Sequence, residues 1–239
     1  MDRLEFINTG LALMGLTHLP PYKNMYFDPY LLIGKGKPKL VGKNHALLIE
    51  ANTALQKMTA GAKKEGISIK VVSSYRSFES QKSIWNRKFS KFKSEGINDA
   101  QAIVKIIEYS TLPGTSRHHW GTEIDIIDAI PQQEGDVLLP HKFHDNGPYN
   151  GLRKWMDTNA NNYGFFLPYT QDVNRSGFKY EPWHYSFAPL SKPMLKKYME
   201  LDHAAMIVSK DLKGGDLLNQ EFLENYIQSH VMGVDPSLR

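Results

Sequence analysis

The sequence predicts an α+β protein in which a small antiparallel sheet is flanked by helices. Hydrophobic residues recur every three or four positions in several segments, whereas other short segments are β-branched and alternate, so both kinds of element are expected. These segments do not alternate regularly along the chain, as a doubly wound parallel sheet would require. The 239 residues are 41% hydrophobic and 11% aromatic, which is typical of a globular protein with a substantial core.

The first elements are predicted to be an arm, a helix and a strand. Residues 1–43 are expected to form an irregular arm, because turn signals that contain Pro and Gly punctuate them. A helix is predicted over residues 44–64, with Asn44 as its N-cap. Its apolar positions recur at helical spacing: Leu47, Leu48, Ala51, Leu55 and Met58. Residues 67–72 alternate and are β-branched, which predicts a strand.

Two helices and a strand are predicted next. One helix follows Ser77 and another covers residues 99–109, each with an apolar face. Residues 122–127 are then expected to form a strand. Because side chains alternate along a strand, Glu123 and Asp125 would share one face of it.

The following segments predict a loop, a helix and two more strands. Residues 130–150 are polar and rich in turn formers, which indicates a loop, and residues 152–161 favour a helix. Residues 165–167 and 183–187 are expected to be short strands. Pro182 would stand at the start of the second strand, where its missing N–H is tolerated.

The chain is predicted to have three parts. An N-terminal arm over residues 1–43 precedes a central domain over residues 44–190. Residues 191–239 would form a C-terminal extension that is helical to its end, apart from a break at Gly214-Gly215. The sequence does not predict whether the two flanking parts cover the central domain or mediate self-association.

Charge and composition argue against several classes of protein. A net charge of +4 without a run of like charges does not predict a nucleic-acid-binding arm. No apolar run approaches the roughly 18 residues of a membrane helix. The run at residues 11–16 is short and lacks a basic flank, so neither membrane insertion nor a signal peptide is predicted. The absence of cysteine excludes disulfides and thiolate metal ligands, and fits both the cytoplasm and an oxidising envelope.

Two short stretches contain residue types that bind a divalent metal. His118 and Asp125 lie on either side of a turn at Gly121, and a loop followed by a strand would let both reach one ion. His184 is a third candidate ligand, and three protein ligands leave one tetrahedral position open, as in catalytic zinc sites. Glu181 is a further carboxylate that can accept a proton from water. The residue types therefore indicate a zinc hydrolase.

Each of these residues also has a structural explanation. A histidine beside a tryptophan is often a hydrogen-bonded packing residue, and a strand aspartate is often a surface group. In a regular strand, Glu181 and His184 would point to opposite faces unless Pro182 bends the chain between them. The residues alone leave the metal site and the structural alternative open.

Several motifs together resemble those of a known family. Ser-x-His-x-x-Gly-x-x-x-Asp occupies residues 116–125, and Glu-Pro-Trp-His-Tyr occupies residues 181–185. Ser-Tyr-Arg-Ser stands at residues 74–77, with Gln81 following the arginine by five positions. In order and spacing, over roughly residues 67–188, these motifs resemble the VanY-type zinc D-alanyl-D-alanine carboxypeptidases. That family shares its fold with the wider lysostaphin, VanX-like and Hedgehog group.

The resemblance implies a role for each matching residue. The ligands of a Zn²⁺ cofactor would be His118, Asp125 and His184. Glu181 would be the general base that deprotonates water and passes the proton to the leaving amine. Arg76 would bind the free carboxylate of the terminal D-amino acid through its planar fork of donors. Gln81 and Ser116 would add hydrogen bonds to the peptide or its carboxylate.

Two neighbouring residues have no role implied by the motifs. The family typically has a small residue, often Ala, where this chain has Glu123. Because Glu123 shares a strand face with Asp125, it is expected either near the metal or behind a ligand histidine, which it would orient. His119 follows the motif position directly, and is expected at the rim of the site or behind the ligands.

The activity implied by the resemblance is removal of a terminal D-alanine from peptidoglycan stem peptides. D,D-activity on a pentapeptide is favoured over L,D-activity on a tetrapeptide, on the family name alone. Two alternatives are a cell-wall endopeptidase and a non-catalytic module that binds the wall and retains the metal. A bacterial envelope or periplasmic location follows from such a substrate, with the cytoplasm as the alternative. No oligomeric state is predicted.

Overall fold

The structure, a computed structural model, describes residues 27–207 and 211–239. The apolar run at residues 11–16 and the first part of the predicted arm therefore lie outside the described residues. Within the described ranges the helices are α1 (Pro29–Leu32), α2 (Ile49–Lys64), α3 (Phe78–Ser94), α4 (Asp99–Ile107), α5 (Asn150–Asn159), α6 (Ala188–Tyr198), α7 (His203–Ile207) and α8 (Gln220–Tyr226). The strands are β1 (Ile69–Ser73), β2 (Glu123–Asp128), β3 (Phe165–Phe166) and β4 (His184–Phe187). This confirms the α+β class.

The four strands form one antiparallel sheet in the order β1-β2-β4-β3. Strand β2 is one of its two inner strands, and all of its residues are buried. Across the β2–β4 pair, Ile124 lies opposite Tyr185 and Asp125 lies opposite His184. The register between β1 and β2 shifts after Val71, so that Ser73 also lies opposite Asp125. The sheet thus brings three distant segments together around one position of β2.

Two apolar clusters hold the sheet and the helices. In the first, Ile124 and Ile126 of β2 pack with residues of α2 and α5, among them Met58 and Trp155. The second combines α3 and α4 with α6 and the C-terminal residues, and Trp85 and Tyr226 are both buried in it. Burial of large apolar side chains is the main stabilising contribution to a fold. The C-terminal residues thus share a core with the rest of the protein.

The N-terminal boundaries differ from the sequence prediction in two places. Asn44 has a positive φ of 64° and does not cap a helix, because α2 begins at Ile49 with Leu48 at the N-cap position. Within the predicted irregular arm, α1 forms a short helix that starts with Pro29, where the fixed φ of proline favours a first turn. By contrast, Ser77 is the predicted start of α3, and its hydroxyl accepts a hydrogen bond from the Ser80 N–H.

The C-terminal extension is less regular than predicted. Helix α6 begins at Ala188, three residues before the predicted start of the extension, and it contains Pro193. The later elements are short: α7, α8, a π-helical stretch at Ile227–Val231, and 3-10 turns at Gly215–Leu217 and Pro236–Leu238. In the described part of the chain, no helix combines the length and apolar character needed to cross a membrane.

Candidate metal centre and its cleft

The candidate metal centre is built on two neighbouring strands. Asp125 in β2 and His184 in β4 are direct partners in the antiparallel register, so their side chains lie on the same face of the sheet. Asp125 Oδ1 lies 3.2 Å from His184 Nδ1. Both side chains are almost fully buried. The sheet therefore holds the two groups at a fixed separation.

His118 reaches the same point from a 3-10 turn, Arg117–Trp120, that precedes β2. The turn ends at Gly121, whose φ of +68° lets the chain reverse into the strand, and a Cβ there would lie 2.9 Å from the Leu40 side chain. His118 Nδ1–H donates to the Ser74 carbonyl at 2.7 Å. Because Nδ1 carries the proton, His118 Nε2 is the nitrogen that can bind a metal, and it lies 3.4 Å from Asp125 Oδ2.

The three residues fit a divalent metal. One ligand atom from each of His118, Asp125 and His184 lies within 4.8 Å of the others. Asp125 Oδ1 is buried and has no hydrogen-bond partner among the described residues, which is costly for a carboxylate oxygen unless a cation binds it. Two imidazole nitrogens and one carboxylate oxygen are a common donor set for catalytic zinc. The predicted ligands are therefore placed together as the sequence indicated.

The charges around His184 also favour a cation. Burial lowers the pKa of His184, but the neighbouring carboxylates of Asp125, Glu123 and Glu181 raise it well above its ordinary value. Burial raises the pKa of Asp125, but the neighbouring His118 and His184 hold it far below its usual range. Three carboxylates thus surround one imidazole, and a divalent ion would supply the positive charge that they stabilise.

Glu181 reaches the centre because the chain turns at Pro182. The His184 N–H donates to the Glu181 carbonyl at 3.1 Å, which closes a β-turn across residues 181–184. The turn places Glu181 Oε2 3.4 Å from His184 Nδ1. Because of this turn, the strand predicted over residues 183–187 begins one residue later, at His184. The Trp183 carbonyl still accepts a hydrogen bond from the Ile126 N–H. The bend required between Glu181 and His184 is therefore present.

Arg76 lies beside the same centre, on the segment between β1 and α3. Its backbone N–H donates to the His118 carbonyl at 3.0 Å. Its guanidinium donates to Gln81 Oε1 at 2.8 Å and to Ser73 Oγ at 3.0 Å. Burial lowers the pKa of Arg76, while the charges of Asp125 and Glu181 raise it. Two of its five N–H groups have partners within the described residues, so three remain for an anionic ligand.

Gln81 acts on the site through Arg76 in this structure. It is fully buried on α3, accepts from Arg76, and donates to the Thr111 carbonyl at 2.7 Å. It is not among the residues that line the cleft described below. A direct hydrogen bond from Gln81 to a peptide stays a prediction, and the observed contacts indicate that Gln81 orients Arg76.

A cleft of about 510 Å³ opens above the centre. Ser116 lines it, and its hydrogen bond to the peptide stays a prediction. Lys88 and Tyr169 line it as well, and the sequence analysis missed both. Lys88 lies two helical turns after Gln81, so both are on the same face of α3, and this spacing could have indicated that Lys88 lies near the site. No sequence pattern indicated Tyr169. The other lining residues are Arg76, Ile84, Tyr109, Ser110, Thr111, Arg117, His118, Asp125, Asp136, Leu138, Leu139, Pro140, Phe178, Glu181, Trp183 and His184.

Glu123 lies behind His184, on the side away from Asp125. Its Oε2 accepts from His184 Nε2–H at 2.8 Å, and its Oε1 accepts from Ser186 Oγ at 2.7 Å and from Thr122 Oγ1 at 2.9 Å. Arg117 Nε lies 3.4 Å from the same carboxylate. Burial raises the pKa of Glu123, but Arg117 and the hydrogen bonds from His184 and Ser186 lower it to about 2.

His119 supports the segment that carries Arg76. Its Nδ1–H donates to the Arg76 carbonyl at 2.6 Å, and its Nε2 accepts from the Gly114 N–H at 3.1 Å. Both ring nitrogens of the neutral imidazole are therefore used, and burial lowers the pKa of His119 to about 3. His119 therefore joins the Arg76 segment to the loop that contains Gly114, and it is not positioned as a ligand.

Fold and site together define a small α+β protein with a candidate metal centre at the base of a cleft. The sequence pattern of the VanY family, D-alanyl-D-alanine carboxypeptidase, matches residues 44–190, more than half of the chain. The chain therefore belongs to the D-alanyl-D-alanine carboxypeptidase (VanY) family. This confirms the resemblance drawn from the motifs.

Individual relatives agree with this assignment. A D-alanyl-D-alanine carboxypeptidase of Enterococcus faecalis (strain ATCC 700802 / V583) is 29% identical over 175 residues, which cover 72% of this chain and 56% of that relative. The chain thus spans little more than half of the relative's length.

Two solved structures share the fold. One is a glutamate-to-alanine mutant of the vancomycin resistance D,D-pentapeptidase VanY, from a VanB-type resistance cassette, in complex with Zn(II). It is 26% identical with a TM-score of 0.51, and the match covers 67% of this chain and 83% of that one. The other is VanYB in complex with D-alanine-D-alanine, 26% identical with a TM-score of 0.50, covering 69% and 88% of the two chains.

Proposed function

We propose that this protein is a zinc-dependent carboxypeptidase that removes the terminal D-alanine from peptidoglycan stem peptides. One observation carries the proposal. A ligand group of His118, Asp125 and His184 lies in the same cleft as a carboxylate, Glu181, and a half-buried cation, Arg76. Metal ligands, a general base and a carboxylate-binding cation are the three parts that such a reaction needs.

Zinc is the metal that the donor set favours. Two imidazoles and one carboxylate suit Zn²⁺, and three protein ligands leave room for water and substrate. The VanY mutant that shares this fold was solved in complex with Zn(II). When bound, zinc supplies Lewis acidity that polarises the scissile carbonyl.

The protein's own residues would then transfer the proton. Glu181 accepts a proton from the attacking water, whose oxygen forms the new bond to the carbonyl carbon. The carbon–nitrogen bond breaks, and Glu181 returns the proton to the leaving amine nitrogen. The β-turn at residues 181–184 holds Glu181 beside the ligands, because the His184 N–H is bonded to the Glu181 carbonyl.

Arg76 would distinguish a carboxypeptidase from an endopeptidase. A guanidinium binds a carboxylate through two parallel hydrogen bonds, and Arg76 has N–H groups left for this after its bonds to Gln81 and Ser73. The cleft also includes Ser116, which would add a hydrogen bond to the peptide. A free terminal carboxylate at Arg76 would place the adjoining peptide bond near the centre.

The D,D-activity is the favoured specificity. Support comes from the structure of VanYB in complex with D-alanine-D-alanine, which has the same fold. The peptide substrate also implies that the protein acts in the bacterial cell envelope or periplasm.

Mass spectrometry of defined muropeptides tests this proposal. Zinc-loaded protein is incubated with a pentapeptide that ends in D-Ala-D-Ala and with a tetrapeptide that ends in a single D-Ala. We expect loss of one D-alanine from the pentapeptide, abolished by a chelator and restored by zinc. Loss from the tetrapeptide alone would overturn the D,D assignment. Cleavage of cross-linked peptide without loss from either free peptide would indicate an endopeptidase, and no cleavage at all would indicate a binding module.

A further inference from the structure

We propose that Glu123 is a positioning residue, which fixes the His184 imidazole so that its Nδ1 faces the metal. This inference rests on the proposed metal site. It assigns a purpose to a buried carboxylate that has no part in the proton transfer at Glu181. Glu123 is completely buried, and a carboxylate is seldom buried unless it is paired and hydrogen-bonded.

The strand register explains how Glu123 reaches the ring. Glu123 and Asp125 are two residues apart in β2, so they share a face, and Glu123 lies opposite Ser186 in β4. The two carboxylates meet the two nitrogens of one imidazole. His184 Nε2 lies 2.8 Å from Glu123 Oε2, and His184 Nδ1 lies 3.2 Å from Asp125 Oδ1.

The contact with Glu123 determines which nitrogen of His184 is left for a metal. A carboxylate only accepts hydrogen bonds, so Nε2 keeps its proton, and Nδ1, which faces Asp125 and the cleft, is the nitrogen that a metal would bind. A carboxylate at the distal nitrogen also makes an imidazole a stronger metal ligand. The interaction therefore affects both the direction and the strength of the His184 ligand.

The surroundings of Glu123 hold its carboxylate in place. Arg117 donates to Ser186 Oγ at 2.6 Å and lies over the Trp120 ring, with its guanidinium carbon 4.7 Å from the ring centre. The positive charge of Arg117 balances the negative charge of Glu123, and the Ser186 hydroxyl donates a hydrogen bond to Glu123 Oε1. With its charge and both oxygens engaged, Glu123 has little freedom to move away from His184.

Metal affinity tests the proposal without any measurement of catalysis. The apparent affinity for Zn²⁺ is measured by competition with a chromophoric chelator, and the Co²⁺ absorption spectrum reports ligand geometry. We expect Glu123→Ala to weaken zinc binding about 10- to 100-fold, and to alter the Co²⁺ spectrum. Glu123→Gln should recover much of the affinity, since an amide oxygen still accepts from Nε2–H.

Asp128→Ala is the matched control. Asp128 is another buried carboxylate of β2, and it accepts from the Ser68 and Ile130 N–H groups and not from a histidine ring. We expect its zinc affinity to stay within about threefold of the parent, although the metal-free protein loses thermal stability. The Glu123→Gln variant keeps the test informative if the alanine variant does not fold.

Two results would overturn the inference. One is a zinc affinity and Co²⁺ spectrum of Glu123→Ala equal to those of the parent, and the other is an equal loss of affinity in Asp128→Ala. The outcome is separate from that of the proposed function. A parent protein that binds one zinc ion with Glu123-dependent affinity, yet releases no D-alanine, would support the positioning role and contradict the carboxypeptidase.

Discussion

Asp125 and His184 are 59 positions apart in the sequence, yet they lie directly opposite each other in neighbouring strands, with Asp125 Oδ1 3.2 Å from His184 Nδ1. The antiparallel register of β2 and β4 creates this pair, and the 3-10 turn before β2 adds His118. A metal centre built in this way depends on the sheet more than on the loops. Preorganised ligands of this kind need little rearrangement when the metal binds.

Removal of one ligand should abolish stoichiometric metal binding. We expect His118→Ala to retain less than one tenth of the zinc bound by the parent after dialysis, because two remaining ligands hold zinc weakly. His141→Ala is the control, since His141 is exposed and outside the ligand group. Metal content is measured by mass spectrometry of the dialysed proteins. Equal zinc in His118→Ala and the parent would contradict the assigned ligand set.

Loss of the general base should separate catalysis from binding. Glu181→Gln is expected to lower kcat by about 10²- to 10⁴-fold, the usual contribution of a positioned base. Zinc content should not change, because Glu181 is outside the ligand group. Steady-state assays of D-alanine release check the rate. Glu79→Gln, at an exposed glutamate, is the control. If Glu181→Gln keeps the parent's kcat, Glu181 is not the general base.

Arg76 should control the preference for a free terminal carboxylate. Arg76→Lys keeps a charge but loses the planar fork, so kcat/KM for the free-acid peptide should fall about 100-fold. The parent should discriminate strongly between this peptide and its C-terminal amide, and the variant should not. Arg87→Lys, at an exposed position of the following helix α3, is the control. If the variant keeps the parent's ratio of acid to amide cleavage, Arg76 does not bind the carboxylate.

The C-terminal extension should contribute to folding through Tyr226. Its hydroxyl accepts a hydrogen bond from the Leu112 N–H at 3.0 Å and lies 3.3 Å from Thr115 Oγ1, both in the loop that leads to the 3-10 turn with His118. Tyr226→Phe leaves that buried N–H without its partner, so the free energy of unfolding should fall by roughly 1–3 kcal/mol. Chemical denaturation measures the change, with the exposed Tyr30→Phe as control. No difference between the two variants would show that the contact does not stabilise the protein.

The sequence predicted the elements with strong local patterns. The alternating residues before Ser73 form β1, and the hydroxyl of Ser77 caps α3 as expected. Local signals failed at Asn44, where a plausible cap instead adopts a left-handed conformation before α2. A cap preference is a weak local effect, and packing of the following apolar residues determines where the helix begins.

The candidate ligands could be identified from the sequence, but the contacts that support them could not. Motif spacing identified His118, Asp125 and His184, although only the register of β2 and β4 shows how they meet. The position of Gln81 behind Arg76 depends on how α3 packs, which spacing does not report. For the same reason, no pattern in the sequence distinguished whether Glu123 would lie near the metal or behind His184.

Anomalous X-ray diffraction from zinc-soaked crystals, recorded on both sides of the zinc absorption edge, tests the central claim most directly. We predict one strong peak within about 2.3 Å of His118 Nε2, an Asp125 carboxylate oxygen and His184 Nδ1. Glu123 should remain on His184 Nε2. The absence of a peak at this position, or a peak that lies on the Glu123 side of the His184 ring, would contradict the account.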